Sequence, residues 1–194
     1  KINIIDFKNR KINFSLNKLN IYTYKSKSLE ENTYKSLKYA YDCCIKKFCI
    51  GIITLPLRKD IIKKKLDKNF IGHTEFFQKI DKKKYSNMIL HHKKIIISTL
   101  TTHIELKKIS NFIKKDNFLF NQICNLNHTL IKDFNIKKPK LIISGLNPHA
   151  GENGSLGIEE VEIINPVVNK MKKKGILIDG PLSADSILIN KNIN

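Results

Sequence analysis

The residues equipped for chemistry stand mostly in loops that follow short apolar runs. Leu141-Ile142-Ile143 reads as a buried strand, and it passes at Gly145 into a loop rich in Gly, Asn and Pro that carries His149. In open α/β sheets ligands bind in the crevice outside the carboxyl ends of the strands. Glycines flanking such a position let backbone approach a ligand closely. His149 therefore reads either as a ligand contact or as a solvated loop histidine. His103 has the same placement after Ile95–Thr99, and Asp185 follows Ile176–Ile178 in the loop Gly180-Pro181-Leu182-Ser183-Ala184-Asp185. A different chemistry is offered by Ile71-Gly72-His73-Thr74-Glu75-Phe76-Phe77, which reads as a loop entering a helix. A helix start presents unbonded N–H groups and a positive dipole end, which suit a phosphate. The plainer reading makes Thr74 an N-cap and His73 a surface residue. Lys59, after the apolar run Cys49–Leu55, could meet an anion or could be an ordinary surface cation.

The elements that must position these residues alternate between strand and helix. Ser28 and Glu31 have capping-box spacing, and Leu37, Ala40, Tyr41 and Cys44 fall at helical intervals behind them. Cys49–Leu55 reads as a buried parallel strand. Ile104–Phe134 carries apolar stripes of helical period, with a break near Asp116-Asn117. Ile158–Lys174 is predicted to be an amphipathic helix, acidic at its start and basic at its end, interrupted by Pro166 and closed by Gly175. Residues 1–27 alternate apolar and polar side chains, as half-exposed strands or an extended connection do. His91 and His92 are adjacent on a short strand, point to opposite faces and cannot easily share one ion. His128 belongs to a helix and to no motif. The order predicts an α/β fold with a largely parallel sheet and flanking helices.

Composition limits the partners. The 194 residues carry a formal net charge of +19, which raises nucleic acid as a partner. The cations are nearly all Lys, however, with Arg only at positions 10 and 58. Bidentate contact with phosphates and base edges favours Arg. The abundance of Lys, Ile and Asn reads better as a bias at tolerant surface positions, so no specific nucleic-acid partner is expected. Cys43, Cys44, Cys49 and Cys124 have no metal-knuckle spacing and lie among apolar residues, as reduced cysteines do in a cytoplasmic protein. No apolar run approaches the roughly 20 residues that span a bilayer. Length and chain ends suggest one α/β region, residues 1–194, belonging to a longer two-subdomain enzyme.

Several of these stretches together carry a resemblance. GLNPHAGENGSLGIEE (145–160) and GPLSADS (180–186) resemble the signature of the 4-hydroxythreonine-4-phosphate dehydrogenase family of vitamin B6 biosynthesis. NTYKSLKYAYDCCI, TLPLRK, IGHTEFF and TTHIEL precede them in the family's order. The resemblance implies an isocitrate/isopropylmalate dehydrogenase-like fold, a homodimer, and oxidation of 4-phosphohydroxythreonine by NAD or NADP. Decarboxylation to 3-amino-2-oxopropyl phosphate would follow. It further implies that His73 and Thr74 contact the phosphorylated substrate and that His103 and His149 ligate a divalent metal (zinc, magnesium, manganese or cobalt). Such an ion can stabilise charge on the reacting oxygen. A third ligand is expected from a His-Asp segment beyond the GPxxAD loop. Asp185 is the implied carboxylate of that loop, although the family more often reads PADT where this chain has Ser183-Ala184-Asp185-Ser186. Arg58 stands where the family often has His or Asn and receives no role. Oxidation of another phosphorylated hydroxy acid, such as a threonate phosphate, and noncatalytic polyanion binding by the lysines are the rival readings.

Overall fold

The computed structural model describes residues 2–6, 17–23 and 28–187. The chain divides into two compact units, Lys1–Phe77 and Gln78–Asn194.

In the first unit, β1 (Ile2–Asp6) pairs in parallel with β2 (Leu19–Thr23). Within the stretch 1–27 predicted to alternate, two short strands form, with a turn at 17–18 before the second, and residues 1, 7–16 and 24–27 lie outside the described residues. Helix α1 (Leu29–Ile45) starts at Ser28, whose hydroxyl accepts from Glu31 N at 3.1 Å. This is the side-chain half of the predicted cap. Helix α2 covers Lys59–Lys65, and α3 begins at His73 and runs to Ile80. Among the described residues of this unit, Leu37, Cys43, Ile62, Phe70 and Phe76 are the buried apolar side chains. Tyr34 joins them edge-on to Phe76, ring centroids 5.3 Å apart, and donates from its hydroxyl to Asp67 Oδ2 at 3.2 Å.

The predicted strand Cys49–Leu55 is not formed. Residues 51–58 have no regular structure, and Ile50, Ile53 and Leu55 are 112%, 98% and 80% exposed. An apolar run becomes a strand only when a neighbour completes its ladder of N–H and C=O bonds, and no described strand lies beside it.

The second unit contains an antiparallel hairpin, β3 (Met88–His92) with β4 (Ile95–Thr99), and a parallel pair, β5 (Lys140–Ser144) with β6 (Leu177–Leu182). The described strands therefore form three two-stranded sheets, one of them antiparallel, where the sequence predicted a largely parallel sheet. The departure is at β3–β4, where Lys93 adopts a positive φ of 52° in a tight turn that Asn or Gly would normally occupy. The long helical stretch divides as predicted: α4 (Ile109–Lys114) and α5 (Phe118–Lys132) are separated by left-handed residues at Asp116 and Asn117. A π-helical turn at Glu160–Ile164 runs directly into α6 (Asn165–Lys173), which carries Pro166 in its first turn. Gly175 closes α6 at φ +80°, with Ile176 N reaching back to Met171 O at 3.2 Å.

These elements bury one contiguous core. Ile113, Leu119 and Ile123 meet Ile163, Ile164, Val168 and Met171 from the α6 side, and Ile143 and Ile178 from the parallel strands. Burial of each such side chain contributes about 1.5–3 kcal/mol. This core fixes β5 and β6, and so fixes the loops that leave their carboxyl ends.

Candidate functional site

The carboxyl ends of β5 and β6 bring His149 and Asp185 to one place. Gly145 N donates to Leu182 O at 2.9 Å, which extends the parallel pairing past the irregular register at Ile142/Ser144. Beyond it the two loops are tied together through one carbonyl. Pro148 O accepts from the Ser183 hydroxyl at 2.8 Å and from Ala184 N at 3.2 Å. The residue after Pro148 is His149, and the short helix α7 (Ala184–Ile187) carries Asp185. Both side chains are exposed. The Ser183 hydroxyl also hydrogen-bonds Asp185 Oδ1. That contact is the main cause holding the Asp185 carboxyl below its ordinary range; the Ser186 and Asp185 backbone amides add to it, and the charge of nearby His149 acts in the same direction. Asp185 is therefore a carboxylate at neutral pH, suited to orient a cation and unsuited to donate a proton.

The backbone of the His149 loop is tightly specified. Asn147 Oδ1 accepts from His149 N at 2.9 Å, Asn147 O accepts from Ala150 N at 2.8 Å, and Asn147 Nδ2 donates to Leu156 O at 3.2 Å. Residues 150–154 then run through five consecutive positive φ angles, and Ala150, Glu152 and Asn153 among them lack the freedom of glycine. Each such residue costs roughly 1–2 kcal/mol, so the turn persists only because its surroundings hold it.

Glu160 is part of those surroundings. It is 2% exposed, and its Oε1 accepts from Asn147 N at 2.9 Å. Sequence reasoning missed it. A glutamate near the start of an amphipathic helix reads as a complement to the helix dipole, and nothing in its spacing signals burial. In the structure it packs against Gly151 and Gly145.

His103 lies in a bend after β4, exposed, with a left-handed φ of 54°. The cavity beside it has a volume of about 340 Å³, and Thr101, Thr102, Tyr85, Phe112, Phe118 and Gln122 contribute to its wall. Among the described residues no group of three His, Cys, Asp or Glu side chains could hold a metal ion. The imidazoles suit a divalent ion by chemistry, but the described residues do not make a complete site.

His73 and Thr74 belong to the first unit and open α3, as predicted. Phe76 N donates to Gly72 O at 3.0 Å, so Gly72 accepts the first bond of α3 and the first turn carries both residues. His73 Nε2 is buried and has no hydrogen-bond partner among the described residues. Burial, and after it the charge of Lys59, push the His73 imidazole below its ordinary value. Arg58 is paired with Asp60, 2.9 Å away.

The family profile of the pyridoxal phosphate biosynthetic protein PdxA matches residues 1–194. The chain belongs to this family. A 4-hydroxythreonine-4-phosphate dehydrogenase of Enterobacter sp. (strain 638) is 37% identical over 159 residues, covering 82% of this chain and 48% of that protein. One of Vibrio vulnificus (strain CMCP6) is 38% identical over 170 residues, covering 85% and 51%. The chain thus spans about half the length of these curated PdxA relatives. Its fold is similar to the crystal structure of 4-hydroxythreonine-4-phosphate dehydrogenase from Klebsiella pneumoniae, with a TM-score of 0.78 over 97% of this chain and 60% of that one, at 23% identity. The mixed α/β architecture is that of the PdxA family.

Proposed function

We propose that this chain is the part of a 4-hydroxythreonine-4-phosphate dehydrogenase that binds the phosphorylated substrate and supplies two of its metal ligands. The observation that carries this reading is the junction of the β5 and β6 loops at Pro148 O, because it sets His149 beside a carboxylate within a PdxA-family chain. The proposed reaction oxidises the substrate hydroxyl with NAD or NADP and releases carbon dioxide. His103 and His149 would hold a divalent ion such as zinc, magnesium, manganese or cobalt, and that ion would supply charge stabilisation at the reacting oxygen. Asp185, ionised beside His149, is the proposed orienting carboxylate. His73 stays largely neutral at neutral pH, and its buried Nε2 can hydrogen-bond a substrate oxygen. Thr74 and the helix start of α3 complete an anion-binding turn.

In the same reading the protein is a cytoplasmic homodimer, residues 1–194 form one α/β region of a two-subdomain enzyme, and the sheet is of the isocitrate/isopropylmalate dehydrogenase kind. No helix among the described residues is long and apolar enough to cross a membrane.

Calorimetric titration of 4-phosphohydroxythreonine into the wild-type chain and Thr74→Ala, with metal content measured in parallel, tests the assignment. Weakened substrate binding with unchanged metal is expected. Loss of metal with unchanged substrate affinity would assign Thr74 to the other site. Formation of reduced nicotinamide with 4-phosphohydroxythreonine, compared with a threonate phosphate, decides the substrate.

A further inference from the structure

The His149 loop is held by a group that none of the family's signature roles explains. Glu160 lies at the start of the π-helical turn Glu160–Ile164, and its carboxyl group points back under the loop. Turns of this kind are rare and occur often at functional sites. The contact geometry is tight on both oxygens. A Cβ at Gly151 would stand 2.6 Å from Oε2, closer than side chains are found, whereas one at Gly145 would meet Ala150 Cα at 2.7 Å and Asn147 O at 2.9 Å, with Oε1 next at 3.0 Å. Gly151 also adopts φ +72°. The loop therefore closes on the carboxyl group at Gly151 and on its own backbone at Gly145. Oε1 takes the Asn147 amide, and the side chain of the same Asn147 takes the His149 amide. One hydrogen-bond relay thus runs from Glu160 through Asn147 to His149, across the residues that enter the left-handed run. Oε2 is buried and has no hydrogen-bond partner among the described residues. A buried polar atom left in that state costs free energy, so its retention at 2% exposure calls for a return elsewhere in the loop.

We propose that Glu160 is a positioning residue: its carboxyl group sets the Asn147 turn and thereby the direction in which His149 presents its imidazole. The proposal rests on the reading of His149 as a ligand, and it adds a residue that acts on the ligand without touching the ion. Groups that orient a metal-binding imidazole typically change metal affinity by about 10–100-fold when removed. Here the orientation acts through the histidine's backbone, leaving both ring nitrogens available.

The test compares Glu160→Gln, which keeps an oxygen for Asn147 N, with Glu160→Met, which keeps the volume and removes the acceptor. Two-dimensional NMR of the labelled chain reads the Asn147 and His149 amides and the His149 ring, and titration with Zn²⁺ alone reads affinity. Far-UV circular dichroism verifies that each variant is folded. The expected result is that Glu160→Met moves the Asn147 and His149 resonances and weakens Zn²⁺ binding about 10–100-fold, while Glu160→Gln stays within about threefold of wild type. Unmoved Asn147 and His149 resonances in Glu160→Met would overturn the proposal, and so would equal disturbance in both variants. His149→Ala separates the two claims. If it binds Zn²⁺ as wild type does, His149 is not a ligand, and the resonances alone still judge whether Glu160 sets the turn.

Discussion

Gly180→Ala should damage the junction of the two site loops more than any nearby glycine substitution. Gly180 sits inside β6 at φ +111°, and a Cβ there would lie 2.2 Å from Ile143 O and 3.0 Å from Ile143 Cγ2. The first contact is with backbone of the paired strand β5, which cannot rotate away, and Ile143 is itself 7% exposed in the core. Two penalties act. A side chain at positive φ costs roughly 1–3 kcal/mol, and forcing extra volume into a packed site costs about 1–3 kcal/mol. Because one shift of the strand relieves part of both, roughly 3 kcal/mol is a reasonable total. For a chain of this size each kcal/mol lowers Tm by about 2–4 °C, so the expected fall is roughly 6–12 °C. Gly175→Ala is the control: it also has positive φ, +80°, but its Cβ meets nothing within 4 Å. It should show the backbone penalty alone, about 1 kcal/mol. Differential scanning calorimetry of both variants measures the difference, and hydrogen exchange at Gly145 reports whether its bond to Leu182 O has opened. Equal melting temperatures for the two variants would refute the close packing of Gly180 on Ile143, and with it the account of how β6 is held.

Other expectations follow from single contacts. Met171→Ala, at a side chain with 0% exposure in the core, should cost about 2–5 kcal/mol in chemical denaturation. His73 has a depressed imidazole, so the unfolded chain takes up its proton at higher pH than the folded one. Stability should therefore fall as pH drops from about 6.5 through the lower folded value, and His73→Gln should flatten that part of the Tm–pH curve. Ser183→Ala removes the main cause of the low Asp185 value, so NMR titration of the Asp185 carboxyl should move up toward the ordinary carboxylate range. Duplex DNA should bind weakly, without sequence preference, and with an affinity that falls steeply as salt rises. Selective retention of one duplex at physiological salt would contradict the reading of the lysines.

What the sequence made legible was local. Ser28 capped α1 because a hydroxyl three residues before an acidic helical residue has one obvious partner. Asp116-Asn117 broke the long helix because such residues tolerate left-handed backbone. Pro166 was less legible. It was read as a kink or a division into two short helices, and the stretch is a π-turn followed by α6 with Pro166 in its first turn; the sequence did not say which side of the break the proline would take. Cys49–Leu55 failed for a reason that no window of sequence contains. Its composition suits a buried strand, but strand formation depends on a neighbour, and Ile50 and Ile53 remain exposed.

The site shows the same division between local and distant causes. His73-Thr74 could be placed at a helix start from their immediate neighbours, and α3 begins there. The approach of His149 to Asp185 could not, because 35 residues separate Pro148 from Ser183, whose hydroxyl bonds its carbonyl. That approach depends on the parallel register of β5 and β6, which the buried faces of Ile143 and Ile178 help to fix. Glu160 was hidden for a related reason. Its side chain belongs by sequence to the helix that follows, yet its hydrogen bond belongs to the loop that precedes it. A residue that is charged in type, buried in fact and bonded backwards is legible only once the turn it supports can be seen. The run of left-handed residues after His149 explains why such support is needed: with three residues other than glycine in it, the turn would relax if nothing beneath it held the entering strand of hydrogen bonds.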